Sequence, residues 1–322
     1  MTESVNHQIV SVVMPTFNQA EYIGEAITSV LSQSYSNLEL IIIDNYSTDE
    51  TEDVINSFQD ERIKYFKFHN HGVIASSRNY GATKICGEYI AFIDSDDVWE
   101  PMKLERQIQH MQDKQIVCVS SACKLIGDTY ACGNYLDTVL EGEYRDFGYD
   151  GVVLENPVIT SSGMVRKDVF LHVGGFDEGK VFRFIEDWEF WLRVAHQGKI
   201  RILNEPLIQY RIYYKPDRDL RDVRKRSLKV IEKHHQMGFL SDNIEKVARG
   251  NCYISLGRAF LDVGDYKGIT YYIKGLFLSR GGNKLRAFAG LMLFLVPSPL
   301  RPFAINQACQ VKYLFTPKGM RR

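Results

Sequence analysis

Residues 9–14 (IVSVVM) and 38–43 (LELIII) are short, β-branched and almost continuously apolar, the pattern of strands buried on both faces and therefore parallel. Between them, Tyr22, Ile23, Ala26, Ile27, Val30 and Leu31 recur at helical spacing within 21–33, which completes a βαβ unit. The alternation continues with a helix over 49–58, N-capped by Ser47 or Thr48, a strand over 63–68, a helix over 75–84 and a strand over 89–93. A mostly parallel α/β sheet flanked by helices is expected. In such sheets ligands lie at the carboxyl ends of the strands. Here those ends carry Pro15-Thr16, Asp44-Asn45 and Asp94-Ser95-Asp96-Asp97.

Past Trp99 the pattern predicts a helix to about 114, strands over 116–126 and 158–166 around an irregular flap (127–151), an amphipathic helix over 184–197 and strands within 200–212. Strand signals then stop. Residues 219–236, 242–263, 266–279 and 283–295 read as helices, so the chain divides into 1–215 and a C-terminal helical domain, 216–322.

With 322 residues, 45% of them hydrophobic and 25% charged, the chain can bury a full core. A net charge of -1 provides no broad basic field, which argues against a nucleic-acid partner but leaves room for a small anionic ligand. Six cysteines, without CxxC spacing and mostly in apolar runs, read as reduced, buried thiols of a cytoplasmic protein. No signal-peptide pattern opens the sequence, and its longest apolar stretch, 287–296, is too short to span a bilayer.

Asp94, Asp96 and Asp97 stand within four residues just past a buried strand. Ionising all three is costly, and a bound Mg²⁺ or Mn²⁺ offsets the repulsion while neutralising a departing pyrophosphate. A solvated turn capping the next helix explains the same residues without a ligand. Glu186-Asp187-Trp188-Glu189 opens a helix, where acids favour the dipole, yet a carboxylate at a site rim can also take a proton from an attacking hydroxyl. Trp188 and Trp191 suit either stacking on a ligand or the core, with at least one expected in the core.

Taken together, Val10–Asn18 (VSVVMPTFN), 26–34 (AITSVLSQS), 40–45 (LIIIDN) with 47–49, Arg78-Asn79-Tyr80-Gly81, 87–97 (GEYIAFIDSDD), Gly174-Gly175-Phe176-Asp177 and 186–189 (EDWE) resemble the family 2 glycosyltransferases, over about residues 9–213. The resemblance implies a GT-A, Rossmann-like fold and an inverting transferase. Its donor would be a nucleoside-diphosphate sugar, a UDP-sugar first, and its acceptor a glycan or lipid-linked glycan of a bacterial surface polysaccharide. It places Thr16 and Asp44 on the base, with Pro15, Asn18 and Ser95 beside the nucleotide and Arg78 near it. Asp94 and Asp96 hold ribose and a divalent metal (Mn²⁺ or Mg²⁺), Asp187 is the general base, and Gly175, Phe176, Glu186 and Trp188 line the acceptor side. Two departures stand out: Tyr46 occupies the glycine position of the family's Asp-Asp-Gly-Ser turn, and Tyr213 stands where a histidine is common. Arg211 has two readings, a diphosphate contact or a solvated strand-end arginine.

Two other functional classes fit the sequence less well. A nucleotide-sugar scaffold without catalysis is disfavoured by the joint presence of Asp94, Asp96 and Asp187. A dinucleotide oxidoreductase lacks a GxGxxG after the first strand. Residues 285–315 combine apolar positions with cations, including Leu285, Phe288, Phe294, Arg286, Arg301 and Lys312. Peripheral contact with the inner face of a membrane and packing onto the catalytic domain or a second subunit both fit.

Overall fold

The structure, a computed structural model, describes residues 8–127, 142–212 and 219–293. Strands β1 (Val10–Thr16) and β2 (Leu38–Asp44) are buried along their whole length and pair in parallel, Val10 opposite Leu38 and Thr16 opposite Asp44. β3 (Ile63–Lys67) extends the parallel set beyond β2, and β4 (Tyr89–Phe92) beyond β1. The helices between them are α1 (Ile23–Leu31), α2 (Thr51–Asn56) and α3 (Ile74–Ala82). α1 buries Ile23, Ala26, Ile27 and Val30, the stripe its spacing predicts.

The remaining strands are β5 (Val98–Trp99), β6 (Ile116–Gly127), β7 (Tyr144–Phe147), β8 (Met164–Arg166) and β9 (Lys199–Ile212). The sheet runs β3-β2-β1-β4-β8-β6-β9-β5, with β7 also on β9. β8 is antiparallel to β4 and β6, whereas β6 and β9 run parallel. α4 (Lys103–Met111), α5 (Tyr149–Leu154), α6 (Lys167–Val173) and α7 (Glu186–Ala195) complete this part.

Several expectations change. The strand predicted over 158–166 is a 3-10 turn, Thr160–Ser162, before the short β8, because Ser162 Oγ donates back to the Ile159 carbonyl and serines compete with a ladder in this way. α2 is shorter than 49–58, and neither Ser47 nor Thr48 caps it. Ser47 is drawn to Asp44, and Asp49 instead accepts from the Thr51 N–H and hydroxyl. Residues 98–99, given no element from the sequence, pair with β9 as a strand too short to leave a periodic signal. Within the expected flap, 142–151 includes β7 and the start of α5, and 128–141 lie outside the described residues. Cys118, Cys123 and Cys252 are buried free thiols, whereas Cys86 is exposed.

The chain separates into two compact units: residues 1–152, 156–180 and 186–215, and residues 153–155, 181–185 and 216–322. In the second, α8 (Leu220–Gln236) starts on Asp219, whose carboxylate accepts the Arg221 N–H, and α9 (Asp242–Asp262) starts on Ser241. α10 (Lys267–Leu278) and α11 (Gly282–Leu293) follow. Tyr272 and Ala287 pack with Leu261, and a Cβ at Gly290 would fall 2.2 Å from the Tyr272 ring, so glycine permits the α10–α11 approach.

Candidate active site

The carboxyl ends of β1, β2 and β4 bring Thr16, Asp44 and Asp94 to one rim. Gly81 lets α3 lie on β1, since a Cβ there would meet Val13 at 2.6 Å. That contact positions Arg78, one helical turn earlier, beneath the rim. The guanidinium is buried; Nη2 donates to Asp94 Oδ1 at 2.8 Å and Nη1 faces Glu186 Oε1 at 3.5 Å. Burial opposes its charge, but Asp94, Glu186 and Asp187 outweigh that and hold it protonated. One arginine thus joins the acidic loop after β4 to the start of α7, which lies 108 residues after the arginine itself.

Asp187 occupies the first turn of α7 and is partly buried. Burial, and after it the neighbouring Glu186 carboxylate, pushes its carboxyl up to about 6, while the Trp188 N–H and Arg78 act in the other direction. Asp97 is buried; burial first, then Asp94 and Asp96, raises its carboxyl well above the usual range. Tyr210 on β9 senses the same group of charges: burial and then Asp97, Asp94, Asp187 and Asp96 push its hydroxyl up. Residues 94, 96, 97 and 187 therefore act on one locus.

The acidic loop is held from below and from the side. Ser161 Oγ accepts the Asp94 N–H at 3.0 Å, and the Ser161 carbonyl accepts the Trp99 indole N–H at 2.7 Å. Arg211 donates from its backbone to Asp97 Oδ1 (2.7 Å), from Nε to the Asp96 carbonyl (2.8 Å) and from Nη2 to Glu25 (2.8 Å), with its guanidinium over the Tyr22 ring. The reading of Arg211 as a solvated strand-end arginine is overturned. It clamps the acidic loop to α1, and its Nε and Nη2 are already engaged there.

Asp44 is fully buried; Oδ1 accepts from the Ser47 N–H and hydroxyl, and Oδ2 from the Tyr65 hydroxyl at 2.7 Å. It organises the turn whose next residue but one, Tyr46, has φ 58°, the left-handed region that a glycine enters without a side-chain penalty. Tyr46 is exposed and stacks on His69 at 4.3 Å. Asn18, also left-handed, accepts the Thr48 N–H and donates its own backbone N–H to Ser47 Oγ, while Pro15 and Ser95 are buried in the rim.

On the other side, Gly174 and Gly175 have positive φ, and the loop they form is gripped by Asn79, which exchanges hydrogen bonds with the Phe176 N–H and carbonyl at 2.8 Å each. Phe176 itself points inward. Its ring stacks on Phe190 at 4.1 Å beneath Arg78, so the expectation of an acceptor-lining phenylalanine is corrected: its large apolar ring is captured by the core made by Phe92, Phe170, Phe190 and Trp191. Glu186 is likewise buried against Arg78. Trp191 is the core tryptophan, whereas Trp188 is half-buried and donates to the Val152 carbonyl. Sequence reasoning assigned no role to Asn79, Ser161 or Glu25. Only Asn79 carries a signal, its place in the run Arg78-Asn79-Tyr80-Gly81.

Four buried side-chain atoms at this rim have no hydrogen-bond partner among the described residues: Thr16 Oγ1, Arg78 Nε, Asp97 Oδ2 and Glu186 Oε2. Such atoms are rare, and each costs roughly 1–3 kcal/mol. A divalent cation suits the donor set, because Asp94 and Asp96 are hard oxygen donors that keep partial solvent access at the rim. Their oxygens do not close into a three-ligand cage. Among the described residues that closeness occurs at His235, Asp242 and Glu245 of the helical unit, where Glu245 is also paired with Arg249. One or two carboxylates completed by phosphate oxygens is the arrangement that fits. Tyr213 lies outside the described residues.

Comparison with known proteins agrees with this geometry. Residues 11–138 match the sequence model of the family described as "Glycosyl transferase family 2". TuaG of Bacillus subtilis (strain 168), which carries the name of a teichuronic acid biosynthesis glycosyltransferase, is 30% identical over 207 residues, 63% of this chain and 79% of that protein. An uncharacterized glycosyltransferase of Rickettsia felis is 31% identical over 214 residues, 66% of this chain. The chain spans about a third of the length of that relative (34%). Among solved structures, S. aureus TarS 1-349 in complex with UDP-GlcNAc superposes with a TM-score of 0.63 at 16% identity, over 92% of this chain and 86% of that one. A mannosyltransferase from Pyrobaculum calidifontis in complex with GDP-Man and Mn²⁺ gives 0.57 at 17%, over 96% and 87%. These two likenesses establish the GT-A fold.

Proposed function

The chain belongs to glycosyltransferase family 2, and from that premise we propose an inverting transfer of a sugar from a nucleoside-diphosphate donor, a UDP-sugar first, to a hydroxyl of a glycan or lipid-linked glycan. The observation that carries this reading is the convergence, around Arg78, of Asp94 from the β4 loop and of Glu186 and Asp187 from α7.

In the proposed reaction the acceptor oxygen attacks the anomeric carbon from the side opposite the diphosphate. Its bond to carbon forms as the carbon–oxygen bond to the diphosphate breaks, and the diphosphate leaves with the electron pair. Asp187 takes the acceptor proton. A carboxyl raised to about 6 is ionised at neutral pH yet more basic than an ordinary aspartate, which suits a general base. Arg78 keeps Asp94 and α7 in register, and Arg211 keeps the acidic loop in place. A divalent cation bound at Asp94 and Asp96 would supply the charge neutralisation that the leaving diphosphate needs.

The unpartnered Thr16 hydroxyl, opposite Asp44 in the β1–β2 pairing, is offered to the nucleoside. The name of the Bacillus relative supports a surface or wall polysaccharide as the product. Among the described residues no helix is long and apolar enough to cross a membrane. The free thiols support a cytoplasmic location.

A thermal-shift series of nucleotide sugars, with and without Mn²⁺, tests the donor assignment. One UDP-sugar should raise the melting temperature more with metal than without. No stabilisation by any nucleotide sugar would overturn the proposal.

A further inference from the structure

Charge is distributed very unevenly along this chain. All 40 of its Asp and Glu residues lie at or before Asp265, whereas ten of its 39 Lys and Arg residues lie after it. α10 and α11 begin this acid-free stretch, and Lys267, Lys274, Arg280, Lys284 and Arg286, on or between these two helices, are all exposed.

The same helices carry apolar side chains on the wrong side for a core. α10 buries Gly268, Tyr272 and Gly275; on its opposite side Phe277 is 75% exposed and Ile273 is exposed as well. α11 buries Ala287 and Gly290; opposite them Leu285 (65% exposed), Phe288 (53%) and Met292 form an i, i+3, i+7 stripe. Single exposed apolar residues are ordinary, but two successive helices each presenting such a stripe among cations call for an occupant.

We propose that the outward faces of α10 and α11 dock on an anionic lipid surface. Phe277, Leu285, Phe288 and Met292 enter the interfacial layer, and the surrounding lysines and arginines meet lipid phosphates. The charge pattern selects this occupant. An acid-free, cation-rich helix pair complements an anionic leaflet, whereas a second copy of the same face would bring like charges together. Residues up to Asp265 are net acidic, so the attraction is confined to the helical end of the chain. This docking does not rest on the donor chemistry proposed above.

The test is co-sedimentation of the full chain with vesicles of neutral phosphatidylcholine and with vesicles containing about 30% phosphatidylglycerol. Binding is expected to the anionic vesicles only, and to weaken as salt rises. Phe277→Gln with Phe288→Gln should lower it about tenfold, and Lys274→Gln and Lys284→Gln about fivefold each. All four positions are exposed, so melting temperature and nucleotide-sugar affinity by calorimetry should stay at wild-type values. A failure of the donor assignment would appear in the calorimetry and leave vesicle binding intact. Absence of anionic-vesicle binding, or binding indifferent to the two phenylalanines, overturns the proposal. So does a dimer in light scattering that dissociates in the double phenylalanine variant, which would assign the face to a second copy.

Discussion

The two ends of the parallel strands differ in how they treat buried polar groups: the carboxyl end satisfies Asp44 but leaves others unpaired, whereas the amino end satisfies Glu39. At the amino end, the Glu39 carboxylate on β2 accepts hydrogen bonds from the Ser11 hydroxyl, the Cys86 N–H and the Lys64 ammonium at 2.5–2.6 Å. Burial alone would raise its carboxyl, but these donors prevail and hold it down to about 2. At the carboxyl end, Thr16 Oγ1, Arg78 Nε, Asp97 Oδ2 and Glu186 Oε2 are buried without hydrogen-bond partners among the described residues, and Asp97 and Asp187 are pushed up. The fold is able to satisfy a buried carboxylate, so the unsatisfied rim is not a general property of its packing. Polar groups preorganised for charge on a ligand are expected to be costly in its absence.

The strongest way to break this contrast is Asp187→Asn. Turnover should fall about 10³-fold while calorimetric donor affinity is kept; unchanged turnover would remove Asp187 as the base. The same change should stabilise the protein, because a carboxyl raised from its unfolded value to about 6 favours folding at low pH and loses that contribution as pH rises through 6. The gain should be about 1–2 kcal/mol at pH 8, reduced by partial exposure, and absent near pH 4, as read by thermal melts. Wild-type kcat should likewise fall on the acid side with an apparent pKa near 6.

At the satisfied end, Glu39→Gln should show the reverse: a loss of about 3 kcal/mol at neutral pH with kcat unchanged. Because the folded carboxyl lies near 2, that difference is full above about pH 4.5 and shrinks as pH falls towards 2. Denaturant titrations at pH 7 and pH 3 distinguish the two cases. Arg78→Lys cannot reach Asp94 and Glu186 with one fork, and should lower kcat/KM roughly tenfold to a hundredfold in steady-state assays. Smallest of all, Thr16→Val removes an unpartnered hydroxyl. It should raise stability by about 1 kcal/mol and weaken nucleotide affinity about fivefold, opposite signs that a purely structural threonine would not give.

Much of the sheet is legible from the chain alone, because β1, β2 and β4 are almost continuously apolar runs and α1 repeats at helical spacing. Short elements escaped. β5 has two residues, and β8 is preceded by serines that bond locally. Phe176 shows the same limit at the site: a loop beside glycines reads as a rim, but nothing local says which way the ring turns.

By itself the sequence determined the order of βα units, the positions of the carboxylates at strand and helix ends, and the acid-free composition after Asp265, since these follow from periodicity and residue type. Tertiary structure alone decided that Arg78 joins Asp94 to Glu186 and Asp187, that Arg211 turns inward to Asp96 and Glu25, and that Asn79 grips the Gly174–Gly175 loop. Apart from Arg78–Asp94, 16 positions apart, those contacts span 97 to 186 positions in the chain. They depend on which side chain reaches which partner once the sheet has closed the distance, and no local pattern encodes that.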